Sequence, residues 1–98
     1  MRQAALRRKI QDVQSRIVAL RLEIGILDEQ IEAFDEDAEE HRVRAIVSET
    51  PLAAREHAEA SRHAEIAHRA RTTAAETLVK LEGARDGLLE QLSVEVAS

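Results

Sequence analysis

The chain has no cysteine, tryptophan or tyrosine, and Phe34 is its only aromatic residue. Without cysteine it can form no disulfide framework, no thiolate metal site and no cysteine nucleophile. Without aromatic clusters, the core must be built from Leu, Ile, Val and Ala. The 98 residues therefore have room for one thin domain, which we expect to span 1–98. A thin core favours oligomerisation.

Long apolar runs are also missing. No stretch approaches the roughly 20 apolar residues that a membrane span needs, and the first residues lack a signal-peptide core. We therefore predict no membrane association and a cytoplasmic location. Arg outnumbers Lys by 12 to 2 and alanine is abundant, a bias associated with GC-rich genomes, which points to a bacterial and actinobacterial origin.

Apolar residues are spaced alternately by four and three along the first half of the chain. This spacing is typical of the buried seam of a coiled coil. The seam positions are Leu6, Ile10, Val13, Ile17, Leu20, Ile24, Leu27, Ile31, Phe34, Ala38, His41 and Ala45. We predict one long helix over about 3–47.

The second half repeats this spacing in mirror image. Subtracting each seam position from 98 gives Leu92, Leu88, Arg85, Leu81, Leu78, Ala74, Arg71, Ala67, Ala64, Ala60, His57 and Ala53. We predict a second helix over about 51–94 that packs antiparallel on the first, in an all-α coiled-coil hairpin. Arg71 and Arg85 interrupt this seam, and we expect their charged ends to reach outward.

Charge is segregated along the chain in a way that favours the same fold. Residues 1–21 carry a net +5 and residues 22–40 a net −9, whereas 41–71 carry +2 and 72–98 carry −3. Folding the chain at its middle places +5 along −3 and −9 along +2. Each exposed pair contributes a few tenths of a kcal/mol.

The turn is predicted at residues 48–50. Thr50 is a good N-cap, and Pro51 suits the first position of a helix because its missing N–H would be unpaired there. Proline also disfavours helical geometry in the residue before it.

Several apolar residues lie off the seam. Val18, Leu22 and Ile26 follow at intervals of four on the outer side of the first helix, and a wider apolar stripe indicates a second neighbour. We expect two hairpins to pack into a homodimeric four-helix bundle. Around the turn, Val43, Ile46, Val47 and Leu52 flank Glu49 and form a candidate docking surface for a partner. The alternative is that these tip residues close over one another or pack in the dimer.

His41 and His57 occupy mirrored seam positions and are the candidates for a metal or pH-sensitive site. The histidine spacing matches no metal motif, and a polar layer that fixes the register is the commoner explanation. We expect His63 and His68 to face Asp37 and Asp28. We predict no metal and no cofactor.

Catalysis and nucleic-acid binding find little support. No serine or threonine is placed with a base and an orienting acid, so we expect no enzyme and no catalytic residues. The basic residues of 1–21, including Arg7, Arg8 and Lys9, could contact phosphates. Four of the bases flank the seam, namely Arg7, Lys9, Arg16 and Arg21, and can instead pair with Glu82 and other acids of the second helix. No aromatic residues interleave for base stacking.

The tip sequence Val47-Ser48-Glu49-Thr50, followed by an Ala-Arg-Glu-rich helix and Leu78-Val79-Lys80-Leu81-Glu82, resembles the N-terminal coiled coil of bacterial transcript-cleavage factors. That family inserts its coiled coil into RNA polymerase and presents paired acids at the tip, whereas Glu49 stands alone here. The resemblance covers about a third of the chain.

The leading hypothesis is a non-enzymatic interaction or structural module that self-associates and docks a protein partner. The alternative is a transcription regulator that binds RNA polymerase or a sigma factor through its tip. Nucleic-acid binding ranks third.

Overall fold

The computed structural model describes residues 2–98 and confirms the all-α helical hairpin. Helix α1 spans Arg2–Ser48 and helix α2 spans Pro51–Ala97, with no strand within residues 2–98. Both helices are slightly longer than predicted. Helix α2 continues three residues past the expected end at 94, to Ala97, and the N–H of Ser98 donates to the carbonyl of Val94 at 3.1 Å.

The turn consists of Glu49 and Thr50. The Thr50 hydroxyl accepts a hydrogen bond from the N–H of Ala53 at 3.2 Å, which confirms Thr50 as the N-cap of α2. On the other side, the N–H of Glu49 donates to the carbonyl of Ala45 at 3.1 Å and closes α1. Glu49 has a φ of 52°, the left-handed conformation in which helices commonly end with glycine.

Both predicted seams are the least exposed parts of their helices. Every seam position on α1 and on α2 is buried or half-buried, including the two arginines of α2. The most deeply buried of these residues are Leu6, Ile17, Ala60, Ala64, Ala67 and Ala74. The mirrored spacing therefore predicted correctly which stripe of each helix faces the other.

The chain divides into two compact units. The terminal unit combines α1 up to Glu23 with Ala74–Ser98, and the turn unit is Ile24–Thr73. That both belong to the single domain expected over 1–98 stays a prediction.

The terminal unit is held by Leu and Ile side chains with polar links at its edges. Ile17 is its centre, with no exposed surface. Arg21 bonds Glu82 at 3.1 Å, as the charge pattern predicted, and the seam residue Arg85 reaches outward to the Gln14 side chain at 3.4 Å.

In the turn unit, by contrast, the buried residues Ala60, Ala64 and Ala67 all come from α2. They lie on the same seam as the half-buried Ile31 and Phe34 of α1. Alanine removes little apolar area from water, so each layer of this unit contributes less stability than a layer of leucine would.

No helix within residues 2–98 is both long enough and apolar enough to cross a membrane.

The turn gives a stability prediction. A side chain in the left-handed conformation costs about 1–2 kcal/mol that glycine avoids, so Glu49→Gly should raise the free energy of unfolding by up to about 1 kcal/mol after its entropic cost. Glu49→Val, which adds a branched Cβ at the same φ, should lower it. Urea denaturation followed by circular dichroism measures both variants. Equal effects from glycine and valine would contradict this reading of the turn.

Candidate functional site: exposed apolar surfaces and the histidine cavity

Away from the turn, three large apolar side chains of α1 are left in solvent. Val18 and Leu22 in the terminal unit are 57% and 68% exposed, and Ile26 in the turn unit is 49% exposed. They succeed one another at intervals of four in α1, which is the spacing of neighbours on one face of a helix. The seam between α1 and α2 does not use them, as the sequence predicted.

Gly25 lies next to this face, and its own chain does not require a glycine there. A Cβ built on Gly25 meets nothing within 4 Å, and the same holds for Gly83 and Gly87 on α2. None of the three has a positive φ. Packing within the hairpin therefore explains none of these glycines, although each lowers helix stability by about 1 kcal/mol relative to alanine.

The tip surface, which we define as Val43, Ile46, Val47, Glu49 and Leu52, is open to solvent. Its aliphatic members are between 47% and 77% exposed, with Val47 the most exposed. The alternative that they close over one another within one chain is therefore wrong. The other alternative, that these residues pack against a second molecule, stays a prediction.

Helix α2 also exposes apolar residues. Ile66, Val79 and Leu89 lie off the seam and are exposed. Val94 and Val96 are exposed as well, and the sequence reasoning did not single them out.

An apolar groove in the turn unit was not predicted. It has a volume of about 310 Å³ and is lined by Leu27, Gln30, Phe34, His63, Ile66, Ala67 and Ala70. The Phe34 and His63 rings lie 6.1 Å apart, tilted by 56°. The available signal was Ala70, a small residue flanking the seam, because alanine cannot cover a neighbouring phenylalanine.

Charged pairs link the helices of the turn unit elsewhere. Arg71 donates from Nε to Asp28 at 2.6 Å, so this seam arginine does turn its charged end outward. The hydrogen bond to Asp28 raises the pKa of Arg71.

One predicted partnership was wrong. His68 lies 3.0 Å from both carboxylate oxygens of Asp35, not beside Asp28. Asp28 is already engaged by Arg71, whose charge is permanent, and the imidazole instead meets Asp35, seven residues further along α1.

A cavity of about 130 Å³ lies beside His41. Its lining is Asp37, His41, Glu56, Glu59, Ala60 and His63. Asp37 and His63, which we expected to face each other, therefore line the same cavity. His57, expected opposite His41, is half-buried but is not part of this lining.

His41 itself sits between two carboxylates. Its Nε2 is 3.5 Å from Asp37 and its Nδ1 is 3.7 Å from Glu56, beyond hydrogen-bond distance, so the buried Nδ1 has no hydrogen-bond partner within residues 2–98. Across the same residues, no group of three or more His, Asp or Glu side chains is arranged to hold a metal ion. Metal binding by His41 and His57 is therefore not supported by a third ligand.

Near the tip, Arg42 donates two hydrogen bonds to Glu39, at 2.7 and 2.9 Å. These bonds hold the pKa of Glu39 below its ordinary value and raise that of Arg42. Since both side chains are exposed, we assign no stability to this pair.

The basic residues Arg7, Arg8 and Lys9 behave differently from the other bases of 1–21. Arg2 pairs with Glu95, Arg16 with Asp12 and Arg21 with Glu82. Within residues 2–98, no carboxylate lies within ion-pair distance of Arg7, Arg8 or Lys9. The expected pairing of Arg7, Lys9 and Arg16 with acids of α2 is therefore wrong, since Arg16 pairs within α1 and the other two have no acid in reach in the described part of the chain. The charge of Arg7, Arg8 and Lys9 is therefore available to another molecule.

Comparison with protein-family models, with curated proteins and with solved structures finds no match to this chain.

The histidine cavity gives a prediction. Because a buried, unpaired polar atom costs about 1–3 kcal/mol, His41→Leu should raise the free energy of unfolding by roughly 1 kcal/mol and raise Tm. His68→Leu, at an exposed histidine paired with Asp35, is the control and should leave Tm unchanged or lower it. A lower Tm for His41→Leu would show instead that the histidine layer stabilises the hairpin.

Proposed function

We propose that this chain is a non-enzymatic coiled-coil interaction module that self-associates and docks a protein partner. The observation that carries the proposal is the exposed row Val18, Leu22 and Ile26 on α1. A hairpin that acts alone would keep these three side chains in water.

The energetics favour covering this row. Fully burying one such side chain stabilises by about 1.5–3 kcal/mol, and a symmetric dimer buries two sets. Within residues 2–98 the buried residues are few and four of the six are alanine, so the hairpin gains little stability from its own core. Self-association therefore adds the apolar burial that the thin seam lacks.

The tip surface supports the second part of the proposal. Ile46, Val47 and Leu52 are each more than half exposed around a two-residue turn, where a partner can reach them from several sides. Clustered exposed aliphatic residues mark protein interaction sites. The non-enzymatic part rests on the sequence, in which no hydroxyl-bearing residue is placed with a base and an orienting acid.

The second candidate function is regulation of transcription through contact of the tip with RNA polymerase or a sigma factor. The exposed aliphatic tip with Glu49 at its turn favours it, since a tip inserted into a partner needs both apolar anchors and an orienting charge.

Self-association is tested by light scattering coupled to gel filtration. The wild type should elute as a dimer. Leu22→Glu should be a monomer, because the dimer would bury an unpaired carboxylate. Val79→Glu is a matched control, since Val79 is 69% exposed against 68% for Leu22 and lies on α2. It should remain a dimer. A monomeric wild type would contradict self-association, whereas two variants that behave alike would contradict dimerisation through the row on α1.

Partner docking is tested by affinity purification from the source organism. A partner bound by the tip should be lost with Ile46→Asp and retained with Ile66→Asp, a matched isoleucine with 58% exposure against 62%. Enrichment of RNA polymerase or a sigma factor would select the second candidate. A partner retained equally by both variants would show that the tip is not the docking surface.

A further inference from the structure

We propose that the second copy docks on the outer face of α1 with the two α1 helices antiparallel and related by a twofold axis at Leu22. The inference rests on the proposed self-association, and it adds the surface, the orientation and the register. In this arrangement, residue i of one copy lies level with residue 44 − i of the other.

The exposed apolar residues of α1 are arranged symmetrically about Leu22. Val18 and Ile26 lie four residues before and after Leu22, and Ala19 and Gly25 lie three residues before and after it. A twofold axis needs a surface that is complementary to itself, and apolar residues of similar size at equal distances on both sides of Leu22 meet this requirement.

The antiparallel register also places large residues of one copy next to small residues of the other. In the antiparallel register, Val18 lies level with residue 26 of the second copy and packs next to the adjacent Gly25. Ile26 lies level with residue 18 of the second copy and packs next to the adjacent Ala19. Interaxial distance between helices depends on side-chain size at the contact, so small residues let the helices approach closely around Leu22. The hairpin leaves the space around Gly25 empty, and the dimer fills it.

The distribution of charge along α1 also favours the antiparallel dimer. The register places Arg8 level with Glu36 of the second copy, and it brings Arg7 and Lys9 alongside the acidic residues Asp35 and Asp37. These three bases have no carboxylate partner of their own within residues 2–98. A parallel dimer would instead place 1–21 against its own +5 and 22–40 against its own −9, which is repulsive.

Cysteine cross-linking tests the orientation directly, because the chain has no native cysteine. Ser15 and Glu29 are exposed and lie seven residues on either side of Leu22. A mixture of Ser15→Cys and Glu29→Cys should form a disulfide between unlike chains after mild oxidation. Each variant alone should not, since in the antiparallel dimer its two thiols lie about 21 Å apart along the helix.

Tags of different size distinguish the unlike pair from the like pairs, and Ser93→Cys on α2 is the control for random collision. A parallel dimer would give the opposite result, with each variant linking to itself and none to the other. That result would overturn the antiparallel arrangement, as would a mixture that forms no more unlike pairs than the Ser93→Cys control.

A charge exchange tests the register. Arg8→Glu and Glu36→Arg should each raise the dimer Kd by about two- to tenfold, because each creates two like-charge contacts in the symmetric dimer. The double variant restores opposite charges and should return Kd to within about twofold of the wild type. A double variant as weak as the two single effects combined would overturn the register.

Self-association and the antiparallel arrangement can be disproved separately. A wild type that remains monomeric removes the proposed self-association and this arrangement together. A dimer that resists Leu22→Glu, or that cross-links in parallel, removes this arrangement and leaves self-association in place.

Discussion

The structure depends on one constraint, the alternating spacing by four and three that turns one narrow stripe of each helix toward the other. A stripe of this width buries only seam residues, and it leaves the outer face of α1 and the tip in solvent. Fold and proposed function therefore have the same origin. The residues that the seam does not bury, Val18, Leu22, Ile26 and the tip surface, are those with apolar area to offer a partner.

The two units bury different kinds of residues along the seam. The terminal unit places Ile17 and Leu6 in its core, whereas the buried residues of the turn unit are alanines. The turn unit also carries a polar seam residue, His41, the ion pair Arg71–Asp28 and the hydrogen-bonded pair His68–Asp35. The turn unit therefore gains less from burial, and its exposed pairs add only about a few tenths of a kcal/mol each.

Much of this could be predicted from the sequence, because it follows from local rules. The seam needs only helical periodicity, and the turn needs only the capping of Thr50 before Pro51. The partner of His68 could not be predicted, since it depends on Arg71 engaging Asp28 first. The groove beside Phe34 depends on how far Ala67 and Ala70 fall short of covering the ring, and the left-handed Glu49 on how two helix ends meet without a glycine. These features are set by three-dimensional packing, which periodicity does not describe.

The central claim is that a second copy of the chain covers the apolar surface left by the thin seam. The most direct measurement is the dependence of Tm on protein concentration, since mass action stabilises a folded dimer as concentration rises. The account predicts that the Tm of the wild type rises steadily over about a hundredfold range of concentration, and that the Tm of Leu22→Glu does not. A wild-type Tm that is the same at every concentration would contradict it.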